Sequence, residues 1–268
     1  PLSSNINLPM NDNYDELIVG ESIKELISNS FLAKADLFTY NVGLTSLVVG
    51  ANGDYTVKSS EDLYTNNDML SKLVSAYEER CVNKKTLIFN NGINTSLIVY
   101  DTFKSAGFQI KHLDNTATKK ERANILKWFK ETPNAILTSV SILTTGFDEP
   151  TVESIIINRA TKSLTLYYQM IGRGSRVLET KSSFDVIDLG NNFYRFGEWG
   201  SDINWQQIFK FPDNYLDNIV SDEEIESRFR YEMPEEIKIL FSNSENIYFN
   251  VNEVYVNSLR NGKSSKVV

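Results

Sequence analysis

Between residues 68 and 190 short apolar runs alternate with longer amphipathic stretches. Apolar positions recurring every three or four residues predict helices over 68–80, 95–106, 118–130 and 164–171. The runs Thr86–Phe89, Phe108–Leu113, Ala135–Thr138, Ser154–Ile157 and Phe184–Leu189 predict strands. Gly107 is placed to stop the second helix, and Thr118 with Glu121 has capping-box spacing. Upstream, residues 14–32 read as a helix and turn, with Leu17, Ile18, Leu26, Ile27 and Phe31 on an apolar side and Ser22 able to cap a second helical stretch. Residues 36–50 alternate as a strand does, and the polar stretch 51–67 reads as a surface loop. Past residue 190 the alternation stops. Residues 201–268 read as largely helical and charged, with a short strand near 247–256. Uninterrupted apolar strands separated by helices predict an α/β fold with a mainly parallel, buried sheet, whose ligands bind at the carboxyl ends of strands.

Composition narrows the chemistry. The 268 residues are 41% hydrophobic and 12% aromatic, enough for a substantial core. One cysteine, Cys81, and one histidine, His112, exclude an internal disulfide and a Cys/His zinc cage. No metal site is expected, and His112, at the end of an apolar run, reads as structural. No apolar run is long enough to span a bilayer, and the first residues lack a signal-peptide pattern, so a soluble cytoplasmic protein is expected. The net charge is -8, and ten acids against three bases in residues 213–245 account for nearly all of it. The rest of the chain is close to neutral, which leaves room for a local basic groove.

Four segments carry candidate chemistry. In Gln169-Met170-Ile171-Gly172-Arg173-Gly174-Ser175-Arg176, helical spacing puts 169, 173 and 176 on one side, where an amide and two forked guanidiniums suit a polyanion. The same arginines equally suit a helix C-terminus, where they favour the dipole. The run Ile136–Pro150 goes from apolar strand through a hydroxyl-rich loop with Ser139 and Ser141 to Gly146 and Asp148. Asp148 can accept from a ribose hydroxyl, orient an arginine or simply cap the turn. Lys85–Asn91 ends a strand in two amides, Asn90 and Asn91, and His112–Arg122 carries Asn115 and Thr116.

In order and spacing these segments resemble the C-terminal RecA-like motor domain of superfamily 2 helicases, from motif IV (TLIF) through motif V (TTGFDEP) to motif VI (QMIGRGSR), with HLDNTATKKER between IV and V. The likeness is strong over about 85–190 and nearest to the XPB-like group of DNA and RNA helicases and to restriction-enzyme motors, whose settings include DNA repair and restriction. It implies a RecA-like three-layer domain over 36–200, preceded by an inter-domain linker and helical segment in 1–35 and followed by a mostly helical extension in 201–268. It implies that Arg173 and Arg176 are finger residues stabilising charge on a transferring γ-phosphoryl group. Gln169, Gly172, Gly146 and Asp148 would face the nucleotide side, with Gly146 and Asp148 linking nucleotide state to the nucleic-acid track. Asn90, Asn91, Asn115, Thr116, Ser139 and Ser141 would face the nucleic-acid backbone. Thr145 stands where relatives often have Glu, and Asn115 where many have Gly.

No GxxxxGK[ST] loop and no suitably placed DExx box occur in the 268 residues. The resemblance therefore implies that ATP and Mg2+ are held mainly by an N-terminal RecA-like domain, and that the chain is a fragment beginning just after motif III, inactive alone. Nucleic acid, DNA in preference to RNA, and that N-terminal domain are the expected partners, with no membrane. A non-catalytic helicase-fold module for nucleic-acid or protein binding is the alternative; retention of Arg173, Arg176 and Asp148 speaks against it. A generic nucleotide-binding α/β domain is a third reading, opposed by the missing glycine-rich loop.

Overall fold

The computed structural model of the chain describes residues 9–140, Leu143 and 147–228. Six strands form one sheet: β1 (Lys34–Thr39), β2 (Thr86–Asn90), β3 (Ile110–Leu113), β4 (Ile136–Val140), β5 (Ser154–Asn158) and β6 (Ser183–Asp188). Their order is β1-β6-β5-β2-β4-β3, and every pairing among them is parallel. The helices are α1 (Ile23–Ser28), α2 (Val57–Tyr64), α3 (Asn67–Arg80), α4 (Ile93–Ser105), α5 (Lys119–Glu131), α6 (Leu164–Ile171), α7 (Asn192–Phe196), α8 (Trp205–Lys210), α9 (Pro212–Asp217) and α10 (Asp222–Ser227). The expected α/β fold with a mainly parallel sheet is what the chain forms.

Alternate strand residues feed two cores, which is why the strands are apolar throughout. Ile88, Ile136, Ile156 and Ile187 pack on one face with Leu73 and Tyr77 of α3 and Val99 and Phe103 of α4. Leu87, Leu137, Ile155, Ile157 and Val186 pack on the other with Phe129 of α5 and Tyr167, Met170 and Ile171 of α6. The result is helix, sheet, helix. Across the sheet β4 and β3 lie on one side of β2 and β5, β6 and β1 on the other, and the chain crosses β2 in passing from β4 to β5, so the sheet's switch point lies where β4, β2 and β5 end side by side. Ligands of open α/β sheets favour such a point.

Local signals place several ends. Thr118 and Glu121 form the reciprocal capping box of α5, and Gly107, at φ +88°, takes the left-handed turn that ends α4. Three expectations need correction. Within 14–32 only Ile23–Ser28 is helical, capped by Ser22 with Glu25, because Leu17 and Ile18 are adjacent rather than spaced along one face; Ile18 is 89% exposed. The strand in 36–50 stops at Thr39, where its sole partner β6 ends, and Val42 and Leu44 fill the core from a loop. The stretch 51–67 is not all loop: α2 starts at its Thr56 cap and buries Ser59, Ser60 and Tyr64. Two of those three are serines, so no apolar stripe announced the helix.

Lys34 and Ala35, assigned above to the linker, pair with Ser183 and Phe184. Ile225 of α10 is fully buried in the core around α3 and α4. Arg195 Nη2 and Tyr55 Oη both donate to Asp222 Oδ1 at 2.5 Å, and Glu226 Oε1 accepts from Leu44 N at 2.9 Å. The start of the C-terminal segment thus closes the same core. The chain divides into two units at Phe229, and the second lies outside the described residues, as does the strand expected near 247–256. No helix among the described residues is long and apolar enough to cross a membrane.

Candidate functional site

Helix α6 and the turn after it present the arginines. Ser163 caps α6 by accepting from Leu166 N, and Leu164, Tyr167, Met170 and Ile171 bury one face. The chain then tightens: Arg173 N, Gly174 N and Ser175 N donate three residues back, to Met170, Ile171 and Gly172. A Cβ on Gly174 would lie 2.2 Å from the buried Phe184 ring, so this glycine serves backbone approach to the core rather than to a ligand. Ser175 O accepts from Ala33 N at 2.8 Å, tying the turn to the chain entering β1.

The two guanidiniums leave this turn toward the β4–β5 connection. Arg173 Nη1 donates to Phe147 O at 2.5 Å and Nε to Gln169 O at 3.4 Å. Arg176 Nε donates to Asp148 Oδ1 at 3.0 Å, with side chains 48% and 67% exposed. Of the roles open to Asp148, the geometry has it on an arginine. Such an exposed pair contributes at most about 1 kcal/mol and yields readily to a stronger anion. Burial, then repulsion from Arg176, lower the Arg173 pKa, while Asp148 opposes them. A guanidinium titrates so far above neutral that the charge is kept. Gln169 is half-buried in the last turn of α6, and Gly172 is the α6 C-cap. Gly146 and Ser141 lie outside the described residues.

The amides and hydroxyls at the strand ends divide into a buried set and an exposed set. Asn90, fully buried, donates to Thr138 Oγ1 at 2.8 Å and Ser139 O at 3.4 Å and accepts from Asn158 Nδ2 at 2.8 Å. Ser139 is fully buried as well. Neither side chain reaches the surface, so the two residues brace β4, β2 and β5 at the switch point. Asn91 is half-buried, and its Nδ2 donates to Ser60 Oγ at 2.7 Å and to Tyr55 O at 3.3 Å, fixing the start of α2. Asn115 and Thr116 are exposed. Asn91, Asn94, Asn115, Leu97 and Val140, with the carboxylate of Glu61, line an open depression of about 770 Å³, and Lys119 and Lys120 are exposed at the start of α5. Amides, hydroxyls and nearby ammoniums can bind phosphate oxygens without reading sequence.

The buried set predicts its own test. Asn90→Ala leaves Thr138 and Asn158 short of partners in a dry network. It should lower stability by about 2–4 kcal/mol, read as a shifted denaturant midpoint. An unchanged midpoint with weakened nucleic-acid binding would instead make Asn90 a ligand contact.

Beside that network Ser96 Oγ lies 2.9 Å from His112 Nδ1, and His112 Nε2 lies 2.8 Å from Asp114 Oδ2. The order Ser, His, Asp is that of a hydrolase triad. Ser96 is fully buried, though, and its Oγ also meets Thr138 Oγ1 at 2.9 Å, so no substrate reaches it. Burial pushes the Asp114 carboxyl up, but hydrogen bonds from Thr116 and His112 outweigh it and hold the pKa below the usual value. The chain of bonds ends at exposed Thr116, whose N and Oγ1 both donate to Asp114 Oδ1 at 2.7 Å.

Two organising residues gave no sequence signal. Asp54, in the segment read as loop, accepts from Thr161 Oγ1 at 2.7 Å, Lys162 N at 2.8 Å and Arg159 Nη2 at 3.3 Å. It ties the approach to α2 to the segment leaving β5. Lys181, in the turn before β6, donates to three backbone carbonyls. Among the described residues no group of three or more His, Cys, Asp or Glu side chains could hold a metal ion.

Comparison with known proteins agrees with this fold. The helicase conserved C-terminal domain family matches residues 66–177. A 51.5 kDa protein of a Lactococcus phage is 26% identical over 200 residues, covering 74% of this chain and 44% of the phage protein. A Saccharomyces cerevisiae protein named as an ATP-dependent helicase, IRC3, is 26% identical over 182 residues, 65% of this chain and 26% of the yeast protein. The chain thus spans less than half the length of either relative. An endonuclease subunit of the Escherichia coli type I restriction enzyme EcoKI is 31% identical over 120 residues, 40% of this chain and 10% of that subunit. Among solved structures, a fragment described as an HsdR subunit of a type I restriction enzyme from Vibrio vulnificus shares the fold. Its TM-score is 0.54 at 21% identity over 66% of this chain and 37% of that one. The parallel sheet, the motif order and the family match agree: residues 66–177 match the helicase conserved C-terminal domain family, within a RecA-like α/β fold.

Proposed function

We propose that the chain is the second half of an ATP-driven nucleic-acid motor, with Arg173 and Arg176 as its finger residues. The observation that carries this reading is the pair of guanidiniums on the rigid turn after α6. Beyond Gln169 O on the arginines' own helix, their partners are a loop carbonyl and an exposed carboxylate, both exchangeable for phosphate oxygens. Forked donors on a fixed turn suit charge that develops on a transferring phosphoryl group. Gln169 and Gly172 flank the same side, Asp148 is the resting partner of Arg176, and Gly146 follows from motif V. The donor set fits one side of a triphosphate. ATP and Mg2+ are held, in this reading, mainly by an N-terminal RecA-like domain. Asn91, Asn115, Thr116 and Ser141 form the nucleic-acid track, with Asn90 and Ser139 supporting it from below. DNA is the favoured substrate on the likeness to the EcoKI subunit, although other relatives are named as the RNA helicase PRP5.

The chain by itself is expected to turn over no ATP. It has no glycine-rich phosphate loop, and the described residues hold no carboxylate cluster for the metal. Joined to a domain that supplies both, it should support nucleic-acid-stimulated turnover. Steady-state ATPase of the chain alone and of the joined protein, each freed of contaminating ATPase, makes the test. Turnover by the chain alone above buffer background, or none by the folded joined protein, contradicts the reading.

A further inference from the structure

Among the described residues three links join the finger turn to the β4–β5 connection, and two are made by the fingers themselves. Arg173 holds Phe147 O and Arg176 holds Asp148. Each uses one N–H of its guanidinium, and both are lost if the guanidiniums swing away to a phosphate. The third is Lys181. Its ammonium donates to Pro150 O at 2.7 Å, Val152 O at 2.7 Å and Gly174 O at 2.9 Å. An ammonium has three protons, so the three carbonyls satisfy it completely. Pro150 and Val152 follow Asp148 closely, and Gly174 stands between Arg173 and Arg176. Lys181 is only 7% exposed, and its own backbone is pinned in a tight turn with Leu178, N to O at 2.9 Å.

We propose that Lys181 is a positioning residue: it clips the turn bearing Arg173 and Arg176 to the loop bearing Asp148, and keeps them in register after the arginines have left their resting partners. This rests on the finger reading above. A finger displaced by an ångström loses most of its effect on the transition state while still allowing ATP to bind.

Charge on the clip adds a pH readout. Burial lowers the Lys181 pKa from its usual 10.5 to about 8. Arg176 pushes the same way, and Glu153 and Glu149 on the loop oppose it. Lys85 shares the small cavity beside Lys181 and Glu153, its own ammonium occupied by Lys130 O at 2.8 Å. Above about pH 8 the amine keeps two protons for three carbonyls, and the clip loosens. The native state then releases a proton that the unfolded chain holds until about 10.5, so this residue's contribution to stability rises with pH over that window. Loosening of the clip and loss of stability therefore have opposite signs.

The test has two parts. In this chain alone, amide hydrogen exchange is followed for wild type, Lys181→Met and Lys181→Arg. Lys181→Met should speed exchange at 147–149, 151–153 and 172–176 while α3 and β2 stay protected. Unchanged exchange there overturns the proposal, and so does a uniform rise with a lowered melting temperature, which marks a merely structural lysine. In the joined motor, Lys181→Met should lower kcat about ten- to a hundredfold with KM for ATP nearly unchanged. Wild-type kcat should fall as pH rises through about 8, and Lys181→Arg, which stays charged, should lack that fall. If Arg173→Ala and Arg176→Ala keep full turnover, the finger reading fails, whatever exchange shows. If they lose it while Lys181→Met keeps wild-type exchange and kcat, only the clip fails.

Discussion

Alanine at Arg173 or at Arg176 is expected to cut ATP turnover of the complete motor by about a thousandfold or more, the scale of finger arginines in other NTPases. Neither change should unfold the protein. Arg176 is exposed and its pair with Asp148 contributes at most about 1 kcal/mol. Arg173 is half-buried, and its removal frees one loop carbonyl without opening the core. Its cost should stay near 1 kcal/mol. In the closed motor both guanidiniums would meet charge that is largest in the transition state, so kcat should fall more than KM rises. Lysine should rescue poorly at either position, because a point charge cannot reproduce the fork. Steady-state ATPase with saturating nucleic acid, paired with melting curves, decides. Wild-type turnover in an intact alanine variant removes the finger role. Gross unfolding would return the arginines to the helix-terminus role that their sequence also allowed.

Gly174→Ala should show the opposite profile, a stability loss that carries activity with it. The added methyl would stand 2.2 Å from Phe184 Cδ2, closer than any carbon contact allows. Phe184 cannot step aside cheaply: it is 2% exposed and meets Trp199 edge-on with ring centroids 6.2 Å apart. Overpacking of this kind costs about 1–3 kcal/mol, more where backbone is involved. In a domain of this size that is roughly 2–12 °C in melting temperature. The turn that would yield instead carries Arg173 and Arg176, so turnover should fall in the fraction still folded. A variant that melts with wild type would mean that the turn and Phe184 are not packed as described. Gly172→Ala makes the natural comparison, since its Cβ would meet Tyr168 O at 3.1 Å and Gln169 O at 3.7 Å, with no side chain in the way.

What the amino-acid order determined alone is whatever is settled within about four residues. Helix α6 spans the residues its periodicity predicted, 164–171, because Ser163 caps it and its buried positions repeat at helical spacing. The capping box of α5 and the stop at Gly107 are equally local. Strand identity was legible because buried parallel strands are apolar on both faces, and the segment from Gln169 to Arg176 because its residues are neighbours in the chain. Other features depended on partners far along the chain. Asn90 and Asn91 stand side by side in sequence, yet strand pleating sends Asn90 into a dry network with Thr138 and Asn158 and leaves Asn91 to hold α2. A helix whose buried face is largely serine had no apolar stripe to read, and only packing against α3 and α4 made it a helix worth burying. Asp148 meets Arg176 across 28 residues, and Lys181 reaches Pro150 across 31. Hydrophobic periodicity reports which residues leave water. Which polar group answers which depends on sheet order, and that is decided only when distant strands pair.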